Sequence, residues 1–292
     1  MLIKFLRTVR ILLEMVKFEH TIFALPFALI SVVLAAQQLP DGWPAARVIG
    51  WVLAAMVGAR SAAMAFNRIV DSDYDAINPR TARRALPSGL LTLGQVIAFT
   101  IVAVGLFEWA AWELNPLCFV LSPLALAAML GYSFTKRFTY LSHLCLGLAI
   151  GLSPIGAWLA VTGQLKIVPV LLGAAVMLWI GGFDIIYALQ DYNFDLKTGL
   201  HSLPKAIGPS RALLVSRIMH ASMLLLMVTV GWLDGLHWAY YFGVLFVGSL
   251  IAYEQSLVKP EDISRVDLAF FTLNGWVSVS MFIFVLLDRL HF

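Results

Sequence analysis

Asn67-Arg68-Ile69-Val70-Asp71-Ser72-Asp73-Tyr74-Asp75 closes an apolar run that occupies 47–67. Arg80, Arg83 and Arg84 follow closely, and then Leu86-Pro87-Ser88-Gly89. Three acids and four arginines thus crowd together in a chain that is only 13% charged. Asn67, Asp71 and Asp75 recur at i, i+4 and i+8, so a helix carries their oxygens along one face. Carboxylates placed that way repel one another unless a cation lies between them.

The rest of the chain explains the setting. Its 61% hydrophobic content and mean hydropathy of +0.87 exclude an ordinary soluble domain and identify an integral membrane protein. Apolar runs at 18–37, 47–67, 93–112, 116–134, 140–161, 167–188, 210–232, 236–255 and 264–287 each have the length of a membrane span. The expected fold is an all-α integral membrane protein with nine transmembrane helices; the alternation of a membrane barrel is absent. Breaks fall at Pro40, Gly42 and Pro44, at Asn115-Pro116, and at Gly163, Gly235 and Pro260. Residues 1–17 alternate apolar side chains with Lys4, Arg7, Arg10 and Lys17. That pattern suits an interfacial amphipathic segment, or equally a frayed basic leader. No small-residue cleavage site follows, so the first run is expected to remain as a span, and 18–292 to form a single polytopic domain. Cys118 and Cys145 lie inside apolar runs and read as small buried hydrophobes, with neither a metal nor a disulfide pattern.

Basic residues set the expected orientation. Fifteen of the 20 lysines and arginines fall in the amino-terminal segment and in alternate connections, while Arg47, Lys166 and Arg289 fall on the opposite side. The positive-inside rule then places the amino terminus and the charged loops in the cytoplasm, within a cell inner membrane. The net charge of +3 is confined to connecting segments and forms no basic face for nucleic acid.

A second acidic stretch follows the sixth run. Asp184, Tyr187, Asp191 and Asp195 are spaced 0, 3, 7 and 11, again one helical face, and Lys197, His201, Leu203-Pro204 and Lys205 come after them. The order repeats that of 67–89, which makes a loose internal duplication with 184–205. A carboxylate at membrane depth costs about 2.5–3.5 kcal/mol, so two such clusters at helix ends are better explained by a wet cavity than by lipid. Oxygen donors without clustered histidine or cysteine favour a hard cation such as Mg²⁺, which commonly bridges one or two carboxylates to substrate phosphates. The neighbouring arginines and lysines suit a polyanion. A molecule with a diphosphate there and its remainder in lipid is an isoprenoid diphosphate.

These motifs resemble those of the UbiA-type intramembrane prenyltransferases: Asn67/Asp71/Asp75 with Arg80-Thr81 and Leu86-Pro87-Ser88-Gly89, then Tyr132-Ser133-Phe134-Thr135-Lys136-Arg137-Phe138-Thr139, then Asp184/Tyr187/Asp191/Asp195. The resemblance runs over about 18–287. It implies nine helices around a central cavity opening to the cytoplasmic side, two Mg²⁺ ions bridging the diphosphate, and transfer of a prenyl chain to an acceptor. Lys17-Phe18-Glu19-His20-Thr21 and Phe23-Ala24-Leu25-Pro26-Phe27 resemble the branch of bacterial 4-hydroxybenzoate polyprenyltransferases and their menaquinone-pathway relatives. The implied partners are a polyprenyl diphosphate, an aromatic acceptor and the bilayer, with no obligatory protein partner. Many members carry an acid after the motif asparagine where this chain has Arg68. That departure leaves a dihydroxynaphthoate as the alternative to 4-hydroxybenzoate in ubiquinone biosynthesis.

The roles that follow are expectations. Asn67, Asp71 and Asp75 hold one Mg²⁺, and Asp191 and Asp195 the second. Arg80, Arg84, Lys136, Arg137 and Lys205 contact substrate. Tyr187, backed by Phe183, either faces the allylic cation or packs as an interface tyrosine. Asp184 either binds metal or positions the acceptor hydroxyl. Arg60, seven residues before Asn67, either binds a carboxylate or forms a structural ion pair. Lys17, Glu19 and His20 read as a snorkelling interfacial cluster in preference to acceptor binding, His143, His220 and His237 as structural, and Trp43, Trp112, Trp232 and Trp238 as an outer aromatic belt. An ion-coupled membrane transporter is the reading from another class, disfavoured because its charges belong near the bilayer midplane.

Overall fold

The computed structural model describes residues 2–16 and 23–291. In chain order its helices are α1 (Leu2–Met15), α2 (Leu25–Ala36), α3 (Ala46–Val70), α4 (Ser72–Ile77), α5 (Leu93–Leu114), α6 (Pro116–Gly131) and α7 (Ser142–Thr162). They continue as α8 (Ile167–Ala188), α9 (Tyr192–Thr198), α10 (Leu203–Ile207), α11 (Pro209–Leu233), α12 (Trp238–Leu257) and α13 (Asn274–His291). No strand occurs among the described residues; one isolated antiparallel bridge joins Lys259 to Asp262.

The helix ends follow from local sequence. Thr92 and Gln95 form a reciprocal capping box that starts α5. Asn115 accepts from the Cys118 N–H at 2.9 Å, and Pro116 opens α6 where its missing N–H is no loss. Gly163, at φ +64°, ends α7 in a left-handed turn that a side chain would resist.

Against the nine spans that the apolar runs predict, seven stretches among the described residues are both long and apolar enough for a crossing: Ala46–Val70, Leu93–Leu114, Pro116–Arg137, Ser142–Thr162, Ile167–Thr198, Pro209–Leu233 and Leu268–His291. The first predicted run shows 12 helical residues in α2. Residues 18–22 of that run lie outside the described residues. The eighth run forms the 20-residue α12, whose end carries Glu254 and Gln255 and dilutes its apolar character.

The chain divides into two compact units. The first comprises residues 1–21 and 50–134. Within it, Leu12, Met15 and Val16 at the end of α1 and just past it pack with Ala65, Leu91 and Val96. The amphipathic amino-terminal segment is therefore a helix, and its far end is covered by protein. Gly58 of α3 lies against the α5 backbone, where an added Cβ would meet the Phe107 nitrogen at 2.8 Å.

The second unit comprises residues 22–49 and 135–292. Its core gathers Phe27, Ile30 and Leu34 of α2 with Trp158 of α7, Leu172, Trp179 and Phe183 of α8, Met223 and Met227 of α11, Tyr240 of α12 and Met281 of α13. Helices α7 and α8 meet backbone to backbone at Gly147, Gly151 and Gly173, the close approach that small residues permit in membrane helices. Ahead of α13, Leu268–Leu273 forms a π-helical turn. Asn274 donates to the carbonyls of Ala269 and Phe270 at 3.0 and 3.1 Å and accepts from Trp179 Nε1 at 2.7 Å. Its side chain thus satisfies carbonyls in a turn whose regular helical pairing is interrupted.

Candidate active site

The first acidic stretch is not one continuous helix. Helix α3 stops at Val70, Asp71 adopts φ −91° and ψ 3°, and α4 begins at Ser72. Main-chain bonds bridge the break, from Asp71 N–H to Asn67 O at 2.9 Å and from Asp75 N–H to Asp71 O at 2.8 Å. The three motif residues therefore keep the i, i+4 stacking that the spacing predicts, around a kink the spacing does not predict. Asn67 Nδ2 donates to Asp71 Oδ2 at 2.9 Å, which leaves the amide oxygen facing outward from that bond.

Asp75 is buried, and Arg84 Nη1 donates to both of its oxygens at 2.6 and 2.8 Å. Arg68, itself buried, lies 3.9 Å away. The cation that the crowded acids require is therefore supplied in part by the chain. Arg84, expected at the diphosphate, stands on Asp75 in this structure. Arg80 is exposed, and its backbone N–H donates to Asn78 Oδ1 at 3.0 Å. Arg60 lies within α3, half-buried.

The second acidic stretch repeats the same local geometry. Helix α8 ends at Ala188, a 3₁₀ turn spans Leu189–Asp191, Asp191 adopts φ −97° and ψ 3°, and α9 begins at Tyr192. Asp195 then sits four residues on and is buried, as Asp75 is after Asp71. Two separate sequences thus build one device: a long helix, a break at the first aspartate, and a short helix that buries the second. Sequence spacing shows the four-residue repeat but not the break.

Around this second turn, Lys136 acts electrostatically on Asp184 and Asp195, and its carbonyl accepts the His201 N–H at 2.7 Å. Lys205 Nζ is engaged by the Leu200 carbonyl at 2.7 Å, away from its expected substrate role. Arg137 is exposed. His143, read from sequence as structural, pairs Nδ1 with Asp184 Oδ2 at 2.7 Å. His220 is buried and bonds to the Trp179 carbonyl at 3.2 Å, which agrees with a packing role. Lys17, Phe18, Glu19, His20 and Thr21 lie outside the described residues.

Tyr187, one turn beyond Asp184, stacks on Phe270 with centroids 4.1 Å apart and planes at 30°. Phe270 in turn meets Phe183 edge-on at 5.1 Å, and Phe183 meets Trp179 at 5.4 Å. The acidic face of α8 therefore adjoins a continuous aromatic wall. Phe183 and Tyr187 were legible in the sequence as part of it. Phe270 was not, because its placement depends on the π-helical turn.

The donor set suits Mg²⁺, being carboxylate and amide oxygen throughout. Asp195 Oδ2 is buried with no hydrogen-bond partner among the described residues, an acceptor that a cation would satisfy. No three His, Cys, Asp or Glu side chains among the described residues converge on one point. A cation at either turn would therefore draw its remaining ligands from phosphate and water, the usual way Mg²⁺ is held.

The chain matches the UbiA prenyltransferase family over residues 24–281. It is 34% identical over 237 residues to a 4-hydroxybenzoate octaprenyltransferase from Citrobacter koseri, covering 80% of this chain and 81% of the relative. A protein of the same name from Salmonella newport is 33% identical over 246 residues, covering 83% and 84%. The apo structure of a UbiA homologue from Aeropyrum pernix K1 matches with a TM-score of 0.84 at 34% identity, covering 92% of this chain and 98% of that one. A UbiA homologue from Archaeoglobus fulgidus bound to DMAPP and Mg²⁺ shares the fold, with a TM-score of 0.70 at 19% identity and coverage of 96% and 99%. With these matches the transporter reading falls away, and the chain belongs to the UbiA prenyltransferase family as a multi-pass membrane enzyme.

Proposed function

We propose that the protein transfers a polyprenyl group from a polyprenyl diphosphate to the ring carbon ortho to the hydroxyl of 4-hydroxybenzoate, at the cytoplasmic side of a bacterial inner membrane. The observation that carries the chemistry is the repeated acidic turn, Asp71/Asp75 and Asp191/Asp195, each with one aspartate at a helix break and one buried four residues on. The names of the relatives at 33–34% identity support the acceptor. Arg68, whose identity raised the dihydroxynaphthoate alternative, is buried 3.9 Å from Asp75. That position adds positive charge to the acidic turn, and prenylation of a dihydroxynaphthoate by the same chemistry stays the alternative reading.

In this reading Asn67, Asp71 and Asp75 hold one Mg²⁺, and Asp191 and Asp195 hold a second. Bound there, Mg²⁺ supplies Lewis-acid stabilisation of the departing diphosphate. Arg80, Lys136 and Arg137 add positive charge for the same anion, and Arg84 keeps the Asp75 carboxylate in one orientation. The wall of Tyr187, Phe270 and Phe183 excludes water and offers ring faces to the allylic carbon as the C–O bond breaks. The ortho carbon of the acceptor then forms the new C–C bond, and its ring proton leaves with the diphosphate. The acceptor and the lipid tail are expected to meet in a cavity open to the cytoplasm.

Membranes holding the protein, given a labelled polyprenyl diphosphate with 4-hydroxybenzoate, a dihydroxynaphthoate and haem in competition, test the assignment. Prenylated 4-hydroxybenzoate is the expected product. A product formed only on the naphthoate overturns the acceptor, and absence of any prenylated product overturns the function.

A further inference from the structure

His143 is the second residue of α7 and is 2% exposed. Its Nδ1 lies 2.7 Å from Asp184 Oδ2, and its Nε2 lies 3.3 Å from the backbone nitrogen of Leu203, the first residue of α10. A backbone N–H can only donate, so Nε2 is the bare nitrogen and Nδ1 carries the proton that Asp184 accepts. The Leu203 N–H is one of the donors that a helix start leaves without an intrahelical partner. The ring is therefore anchored by main chain, not by a side chain that could swing away. Its backbone also lies close to α8, since a Cβ added to Gly181 would stand 3.2 Å from the His143 carbonyl oxygen.

Asp184 cannot change rotamer without stranding a buried N–H. Its side chain is 17% exposed, and its other oxygen has no hydrogen-bond partner among the described residues. Tyr187 follows one turn later on the same face, with Phe270 stacked on it at 4.1 Å. A fixed carboxylate oxygen beside an aromatic wall is a complementary site for a flat ring bearing a hydroxyl.

We propose that His143 is a positioning residue for prenyl transfer. By donating Nδ1–H to Asp184 it fixes that carboxylate with its free oxygen presented to the hydroxyl of the aromatic acceptor. A hydroxyl that donates to a carboxylate releases electron density into its ring, and the ortho carbon becomes a better nucleophile. The inference rests on the function proposed above and assigns Asp184 to the acceptor in preference to the metal.

The test uses the full-length enzyme in membranes and measures kcat and KM for 4-hydroxybenzoate and for the prenyl diphosphate separately. His143→Leu and Asp184→Asn are expected to lower kcat/KM for 4-hydroxybenzoate about tenfold to hundredfold, the size of a lost charge-assisted hydrogen bond, with KM for the prenyl diphosphate within about twofold. His143→Gln, whose amide can donate to Asp184 and accept from Leu203, is expected to restore the acceptor term to within about threefold. The proposal is overturned if His143→Leu turns over 4-hydroxybenzoate normally, or if it impairs both substrates alike and His143→Gln is no better. Should His143→Leu fail to accumulate in the membrane, the other two variants decide. Activity kept in His143→Gln with an acceptor-confined loss in Asp184→Asn supports the proposal, and equal losses contradict it. Failure of the functional reading is distinguishable, because it shows as absence of transfer by the unaltered enzyme.

Discussion

Asp75 illustrates what a single side chain contributes. Its carboxylate is buried in a membrane protein, and Arg84 pairs with it through both oxygens. Removing one partner of a buried pair leaves the other charge uncompensated and costs about 3–5 kcal/mol. Arg84 keeps 29% of its side-chain surface, so solvent screening lowers the expectation for Arg84→Gln to about 1–3 kcal/mol, read as a fall in Tm in detergent. Asp71→Ala and Asp191→Ala touch the helix breaks and not that pair. Each is expected to insert normally, as judged by its level in the membrane, and to lose about 10²-fold or more of Mg²⁺-dependent transfer. The sequence made these acids legible because charges are rare in it and recur at a helical spacing. It could not show that Arg84 stands on Asp75, nor that His143 belongs with Asp184. Both pairings join residues whose separation along the chain has no helical meaning.

At the scale of elements, the α7–α8 contact holds Asp184 in place. An added Cβ on Gly147 would lie 2.2 Å from the Met177 carbonyl oxygen, and backbone cannot step aside as a flexible side chain can. Gly147→Val is therefore expected to destabilise the protein by about 1–3 kcal/mol or more, seen as a lower Tm and reduced activity together. The turn between α11 and α12 gives a pH dependence instead. Burial pushes the Asp234 carboxyl up to about 6, opposed by the charges of Lys166 and Arg289. A folded value above the unfolded one means that the protonated form favours the folded state. That contribution is complete below about pH 4 and is lost as the pH rises through about 6. Tm is expected to decline across that window, and Asp234→Asn is expected to flatten the decline. The boundary at Asn115-Pro116 was legible, because the asparagine caps α6 and the proline opens it, whereas the Thr92 capping box of α5 was not singled out by the apolar pattern. The break at Asp71 and the π-helical turn at Leu268–Leu273 were not legible, because packing and side-chain bonds impose them on otherwise helical sequence.

For the molecule as a whole, composition decided the class, since span-length apolar runs leave the backbone only helices to form in lipid. The count of spans was less legible. Seven stretches among the described residues meet both the length and the apolarity of a crossing, while α2 shows 12 helical residues and α12 ends in polar side chains. The sequence left the amino terminus open between an amphipathic helix and a frayed leader, and its docking onto Ala65, Leu91 and Val96 was not legible, because those contacts join distant parts of the chain. The expected orientation rests on loop charge and is open to direct test: a cysteine placed at Arg83 should react with an impermeant thiol reagent only from the cytoplasmic side, and labelling from outside would reverse the topology. The central claim is that paired acidic turns use a divalent cation to hold and release a diphosphate. It is tested most directly by titrating Mg²⁺ into EDTA-treated membranes supplied with labelled polyprenyl diphosphate and 4-hydroxybenzoate. The account predicts no transfer without the metal and recovery as Mg²⁺ is restored; transfer undiminished in EDTA would contradict it.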